Sequence, residues 1–307
     1  MSITPGPELV IAGAARSGTS YLAAQLSMHP AIDPGSVKEP NYFSRNHDRG
    51  ADWYDGLFAP RTVGVLRMDA SVSYTFPRFP EALDRLADEC QVRLVVYVVR
   101  DPVPRAISHY LYHRYYFKQE DAADFGTALR ENPLYAGASD YGRWIAALQE
   151  RFGIERMLVV PFQSVTGGHV DEQVCSLLGL TPPAPEEEQG AEAHRNNVVT
   201  FKHGAFRVAS RTLRRSRLYP LVRERLGADR LRRVRSLVTR ETVLPTREQA
   251  LASCSPEQRV ELDELGRQAR AAASQWLAEQ DERLGLSWLP GWEATAPGTR
   301  RAGDQAS

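Results

Sequence analysis

The sequence predicts an α/β fold in three layers, a central parallel sheet flanked by helices on both faces, and three observations lead to it. Residues 9–12 are a short apolar run that enters a loop bounded by Gly13 and Gly18, after which helix-forming residues begin. Residues 94–99 are a longer continuous apolar run that meets Arg100, Asp101 and Pro102. The order then repeats, with an amphipathic stretch over 140–152, an apolar strand over 156–162 and a further helical stretch over 170–178. Wholly apolar strands alternating with helical segments form parallel sheets, because each crossover helix packs back on the sheet and buries both of its faces. Ligands of such sheets bind beyond the carboxyl ends of the strands, which is where the loops after residues 12 and 99 emerge.

Taken in order, the helix that starts near Gly18 carries Leu22 and Leu26 four apart and is expected to end near Pro30, with His29 as its C-terminal hydrogen-bonding group. Pro40 is expected to keep Glu39 out of the helical region and in an extended pose that presents its carboxylate. Residues 63–69 alternate well enough to be the next strand, and 80–90 read as a surface helix with Leu83 and Leu86 three apart. Asp101 before Pro102 is an N-cap signal for the helix that follows the 94–99 strand. Gly153 and Gly179 stop the helices at 140–152 and 170–178, and 256–282 is a long polar helix.

Composition sets outer bounds. The 307 residues can bury a sizeable core; length alone allows two domains, but the alternation is read as one domain over 1–292, with 293–307 as a disordered tail low in apolar residues. Lys plus Arg and Asp plus Glu number 38 each, which argues against a surface built throughout for nucleic acid. Cys90, Cys175 and Cys254 are far apart and fit no metal spacing, so a reducing cytoplasm is the expected setting. The N-terminal residues carry neither a basic nor an apolar signal region, and no apolar run approaches the roughly 20 residues of a membrane span.

Two motifs carry chemistry. Gly13 and Gly18 stand at the spacing of the nucleotide-binding loop G-x-x-x-x-G-K-[ST], in which backbone N–H groups converge on an anion at a helix N-terminus. Thr19 occupies the lysine position, and the basic charge has moved into the loop as Arg16, whose planar guanidinium can grip two anionic oxygens at once. The plain alternative is a tight turn that binds nothing. The second motif is Arg100 at the end of the strand, where an ATPase would place an acid to hold Mg²⁺. Arg100 at the strand tip and Ser108 two turns into the next helix can close on one phosphate; the alternative is a structural Arg100–Asp101 turn.

Gly13-Ala14-Ala15-Arg16-Ser17-Gly18-Thr19-Ser20 resembles the 5′-phosphosulfate loop of the sulfotransferases that use 3′-phosphoadenosine 5′-phosphosulfate (PAPS), and Arg100 with Ser108 resembles that family's 3′-phosphate pair. Lys38-Glu39-Pro40-Asn41-Tyr42-Phe43 is similar to the K-E-P-x-x-F stretch of members that sulfate sugars, in which the glutamate is the general base; the alternative is a solvated Lys–Glu pair on a turn. Asp69-Ala70-Ser71-Val72-Ser73-Tyr74 falls where members have an acid and then Ser-Pro-x-Tyr. It departs in two places: Ala70 stands where the animal polysaccharide enzymes carry lysine, and Val72 where proline is usual. Lys38 therefore becomes the candidate for the second basic contact, with Asp69 either orienting it or inert. The long polar helix and the residues up to Leu289 resemble the family's C-terminal closure.

The resemblance implies a P-loop-like sulfotransferase fold and transfer of a sulfuryl group from PAPS to a hydroxyl, ahead of an amine, of a small-molecule, glycoside or carbohydrate acceptor. Glu39, Arg16 and Lys38 would be catalytic; Arg16, Ser17, Gly18, Thr19, Ser20, Arg100 and Ser108 would bind the donor, and no metal is implied. Lacking the membrane anchor of animal relatives, the chain resembles soluble bacterial members. An ATP-using phosphotransferase and a non-catalytic nucleotide-binding scaffold are the alternatives.

Other features stay open. The aromatic run Tyr110, Tyr112, Tyr115, Tyr116 and Phe117 reads as an acceptor pocket or as core, and His109 with His113 has metal spacing but no third ligand. Thirteen basic residues between Lys202 and Arg240 lie in a variable region, 185–255. They read as a lid, as a surface for an anionic acceptor or lipid headgroups with peripheral membrane contact, or as a solvated face. Asn196, Asn197 and Lys202 fall near the family's last cofactor-contacting loop.

Overall fold

The computed structural model describes residues 6–167, 170–182, 199–201, 239–241 and 244–294. Its central sheet has five strands: β1 (Leu9–Gly13), β2 (Ile32–Asp33), β3 (Leu66–Asp69), β4 (Leu94–Val99) and β5 (Met157–Pro161), in the spatial order β2-β3-β1-β4-β5. Every pairing in it is parallel. β1, β4 and β5 follow from the apolar runs, and β3 from the alternation near 63–69. β2 has two residues, too few for a periodicity to register.

Side-chain alternation along β1 and β4 divides the core. Val10, Ala12, Val95, Tyr97 and Val99 face one layer, where they pack with Leu83 and Leu86 of α3 (Ala82–Glu89), Trp144 and Leu148 of α7 (Tyr141–Phe152), and Trp276 and Leu277 of α11 (Pro256–Leu284). Leu9, Ile11, Val96 and Val98 face the other layer, with Leu22 and Leu26 of α1 (Thr19–Leu26) and Val174 and Leu178 of α9 (Val170–Leu178). β1 and β4 are buried on both faces by apolar layers, which is why they read as unbroken apolar runs.

The remaining described helices are α2 (Ala51–Asp55), α4 (Pro102–Leu111), α5 (Phe125–Glu131), α6 (Leu134–Gly137), α8 (Phe162–Gly167), α10 (Arg247–Ala252) and α12 (Leu289–Glu293). Asp101 caps α4, its carboxylate accepting from the Val103 N–H at 3.3 Å, and it also pairs with Arg270 of α11 at 3.0 Å. α4 continues into a π-helical turn, Tyr112–Phe117, in which Tyr116 and Phe117 are exposed and His113 is buried. A third apolar cluster joins Val103, Ile107 and Tyr110 of α4 to Phe125, Ala250, Cys254 and Leu262.

Three local expectations are corrected. α1 ends at Leu26, and the His29 ring accepts from the Ala31 N–H at 3.0 Å and meets the Thr181 carbonyl at 2.8 Å, so it ties a loop rather than capping the helix. The strand near 63–69 starts only at Leu66, and Val63 is fully exposed. Glu39 is left-handed, with φ 57°, and not extended; Pro40 excludes the right-handed helical region for it, and tertiary hydrogen bonds select the left-handed one. Asn196 and Asn197 lie outside the described residues, as do 295–307. So does the arginine-rich segment apart from β6 (Val199–Phe201) and β7 (Thr239–Glu241), which pair antiparallel.

Candidate active site

The loop between β1 and α1 is shaped by its two glycines. A Cβ at Gly13 would stand 2.4 Å from the Thr75 hydroxyl, which donates to the Ala12 carbonyl, and a Cβ at Gly18, where φ is 89°, would meet the Phe162 ring at 3.0 Å. Only glycine fits that second position without strain. Arg16 between them is also left-handed, at φ 68°. Two guanidiniums hold consecutive loop carbonyls: Arg105 Nη1 donates to Ala15 O at 3.1 Å and Arg100 Nη1 to Arg16 O at 2.9 Å. The Ser17 N–H is turned inward on Ala14 O at 3.2 Å, so the loop's outward backbone donors begin after it. Thr19 and Ser20 open α1, where first-turn N–H groups have no intrahelical acceptor and favour an anion.

The arginines converge from different strands. Arg100 follows β4, and both its backbone groups are taken by the Tyr141 hydroxyl, which accepts from the N–H at 3.1 Å and donates to the carbonyl at 2.5 Å. Its guanidinium lies 4.8 Å from the Phe162 ring centroid. Arg16 Nε donates to the Ser108 hydroxyl at 3.3 Å, and its guanidinium sits 3.9 Å over the Tyr112 ring. Arg16, Arg100, Ser108 and Tyr112 line one cavity of about 350 Å³ together with Pro104, Ile107, Leu111, Leu244 and Arg247. Among the described residues no carboxylate lines it. Burial lowers the pKa of Arg16 and of Arg100, and the charge of Arg100 lowers that of Arg16 further; both stay cationic, and an anion in the cavity would relieve the strain between them.

Lys38 and Glu39 come to the same place from another segment. Lys38 Nζ donates to the Ser20 hydroxyl at the head of α1 and pairs with Glu39 Oε1 at 3.4 Å. The turn that presents Glu39 is pinned at three backbone atoms. Asn41 Nδ2 donates to Glu39 O at 2.5 Å, Asn46 Nδ2 to Pro40 O at 2.7 Å, and the Asn41 N–H to the Ser71 hydroxyl at 2.9 Å. Glu39 is near enough to Arg16 for its charge to oppose the lowering of the Arg16 pKa. Asp69 does not orient Lys38: it is fully buried, accepts 2.6 Å hydrogen bonds from the hydroxyls of Tyr54 and Tyr74, and its pKa is raised by burial. That leaves the inert, structural reading for Asp69.

The structure thus brings together Arg16, Gly18, Thr19, Ser20, Lys38, Glu39, Arg100 and Ser108, while the Ser17 side chain is fully buried. Sequence reasoning missed several partners. Tyr112 is named only within an aromatic run, as acceptor pocket or core, although its place one helical turn after Ser108, on the same face, points to the Arg16 cavity. Arg105, wholly buried with donor bonds to Ser139 Oγ at 2.7 Å and Tyr135 O at 2.6 Å, had no such signal. Neither did Leu244 and Arg247, which are remote in sequence. His109 Nδ1 faces Arg105 Nη1 at 3.2 Å, and burial first and the Arg105 charge next push its pKa well down. Among the described residues no three His, Cys, Asp or Glu side chains are placed to hold a metal ion.

Comparison with known proteins identifies the family. The human heparan sulfate glucosamine 3-O-sulfotransferase 3B1 is 38% identical over 105 residues, 34% of this chain and 26% of that protein. The mouse heparan sulfate glucosamine 3-O-sulfotransferase 6 is 40% identical over 106 residues, 34% of this chain and 30% of that protein. The match therefore spans less than a third of the length of these relatives. A crystal structure of a sulfotransferase from Alicyclobacillus acidocaldarius superposes with a TM-score of 0.54 at 20% identity, covering 94% of this chain and 99% of that one, which is a likeness of fold. Residues 6–163, just over half of the chain and all of the loop, the Lys38–Glu39 turn and the Arg100–Ser108 pair, match the sulfotransferase domain family, and the chain belongs to that family.

Proposed function

We propose that this protein transfers a sulfuryl group from PAPS to a hydroxyl, ahead of an amine, of a carbohydrate, glycoside or other small acceptor. The observation that carries the reading is the convergence of Arg16, Arg100 and Ser108 on one cavity beside the N-terminus of α1. A cavity lined by arginines, with no acid among its described residues, suits a ligand with more than one anionic group, and its apolar side, Pro104, Ile107 and Leu111, suits a ring. PAPS supplies an activated sulfuryl group. Arg16, with the N–H groups of Gly18, Thr19 and Ser20, would meet the phosphosulfate end and the charge that grows there on transfer. Arg100 and Ser108 would hold the 3′-phosphate. Glu39 would accept the acceptor's hydroxyl proton on its carboxylate, with Lys38, steadied by Ser20, adding positive charge beside it.

The named activity of the relatives, sulfation of a sugar hydroxyl in heparan sulfate, supports a carbohydrate acceptor here. Thr19 in the lysine position and Arg100 in place of a strand-end acid disfavour an ATP–Mg phosphotransferase. Cys90, Cys175 and Cys254 are free thiols, which fits the proposed cytoplasmic setting. Thermal-shift titration tests the donor: adenosine 3′,5′-bisphosphate should stabilise the protein far more than AMP or ATP–Mg. Arg100→Ala should weaken bisphosphate binding at least tenfold, as expected when a charge-assisted contact of about 1.5–3 kcal/mol is lost. Equal responses to AMP and the bisphosphate would refute the site. Labelled PAPS offered with sugar and small-molecule acceptors then tests transfer.

A further inference from the structure

The cavity has a wall that comes from neither phosphate motif. Leu244 and Arg247 line it together with the face of α4 that carries Pro104, Ile107, Ser108 and Leu111. Both lie beyond residue 163, where the family match ends. Resting on the donor-site reading above, we infer that Arg247 is a third cationic residue of the pocket and that it binds an anionic group of the same nucleotide, which makes the C-terminal segment a working part of the donor site.

The placement of Arg247 is a built one. It is the first residue of α10, which starts at a capping box: the Thr246 hydroxyl accepts from the Gln249 N–H at 3.2 Å, and Gln249 Oε1 accepts from the Thr246 N–H at 2.8 Å. On its inner side α10 buries Ala250 against the α4 cluster, and the turn behind it buries Cys254 there. That turn is tied to α5, the Gly126 N–H donating to the Ser253 hydroxyl at 3.0 Å and Gln258 Nε2 to the Gly126 carbonyl at 2.7 Å. The helix that presents Arg247 is thus fixed to the helix that presents Ser108. Arg247 itself is exposed.

Charge makes the position informative. A helix N-terminus is the positive end of the backbone dipole, so an arginine at the first helical position is unfavourable there on local grounds. It also adds a third positive charge to a cavity where Arg16 and Arg100 already repel one another and no acid stands among the lining residues. The arrangement becomes favourable when a multiply charged anion fills the cavity. A nucleotide with phosphate groups at two separated positions carries enough charge to engage three guanidiniums, whereas a monophosphate leaves at least one without a partner.

The test needs no acceptor and reads binding directly. Isothermal titration of the full chain with adenosine 3′,5′-bisphosphate is compared for wild type, Arg247→Ala, Arg247→Lys and, as a control, Arg259→Ala, an exposed arginine of the same region that does not line the cavity. Arg247→Ala should weaken binding about tenfold and reduce its salt dependence, Arg247→Lys should fall between, and Arg259→Ala should match wild type. Unliganded Arg247→Ala should be no less heat-stable than wild type, since the side chain opposes the dipole. Unchanged affinity in Arg247→Ala, with a large loss in Arg100→Ala, would overturn the inference and leave the donor site standing. If none of the arginine variants changes affinity, the donor-site reading falls with it.

Discussion

At the scale of single residues, charge that would bind the donor is, on the proposed reading, separate from charge that would act on the reaction. Arg16 is half-buried in the loop, stacked on Tyr112 and hydrogen-bonded to Ser108, so its guanidinium plane is held before any ligand arrives. Preorganised donors of this kind act most strongly where charge develops. Arg16→Ala is therefore expected to lower turnover more than donor affinity, and Arg16→Lys, which keeps the charge but loses the fork, to fall between; single-turnover rates with a donor titration separate the two. An Arg16→Ala enzyme that lost affinity alone would make this a binding residue only. Glu39 carries the second prediction. A general base contributes about 10²–10⁴-fold, so Glu39→Gln should lose that much rate while binding adenosine 3′,5′-bisphosphate as before. Retention of most of the rate with a working acceptor would require another base.

At the scale of elements, α4 and its π-helical extension join the arginine-lined cavity to a buried histidine pair. His109 and His113 lie 4.5 Å apart between ring centroids, and burial ahead of the Arg45 and Arg78 charges pushes His113 down to about 4. An unfolded histidine takes up its proton near pH 6.5, so between that pH and about 4 the unfolded state binds a proton that the folded state refuses. Stability is complete above pH 6.5, falls as pH drops through this window and loses nothing further from this group below it. The shift corresponds to about 3 kcal/mol at most, and His109 acts with the same sign. Urea unfolding from pH 7 to 4 should show a shallower decline for His113→Gln than for wild type; parallel declines would mean that His113 is protonated in the folded protein.

At the scale of the whole molecule, the sheet ends at β5 and α11 closes that edge. Gln280, wholly buried on α11, accepts from the Val159 N–H at 2.7 Å and donates to the Val159 carbonyl at 2.8 Å, so one side-chain amide serves as a peptide unit of a missing neighbouring strand. The same helix pairs Arg270 with Asp101 at the start of α4. α11 therefore couples the far edge of the sheet to the element that carries Ser108. Gln280→Leu leaves two buried peptide groups without partners and should cost about 2–5 kcal/mol of unfolding free energy, read by urea denaturation. A loss below about 1 kcal/mol would show that water or a backbone shift replaces the amide.

The sequence by itself determined the strand-and-helix alternation, the phosphate loop, the cap at Asp101 and the Arg100–Ser108 spacing. Each is local: strand burial demands an unbroken apolar run, and two residues eight apart across a strand tip and a helix have a nearly fixed separation. The candidate site was legible to the same extent, residue by residue within each motif. How the motifs meet was decided by tertiary structure alone. Lys38 reaches Ser20 from the segment that leaves β2, which Asn41 ties to Ser71 just after β3, the neighbour of β1, and Glu39 takes a left-handed backbone in a turn that Asn41, Asn46 and Ser71 bind. Arg105 disappears under the loop, and Arg247 arrives at the cavity only through the packing of α10 on α4. The contacts of Ser71, Arg105 and Arg247 join residues tens to more than a hundred positions apart, and no spacing along the chain encodes them, since they depend on which elements pack together.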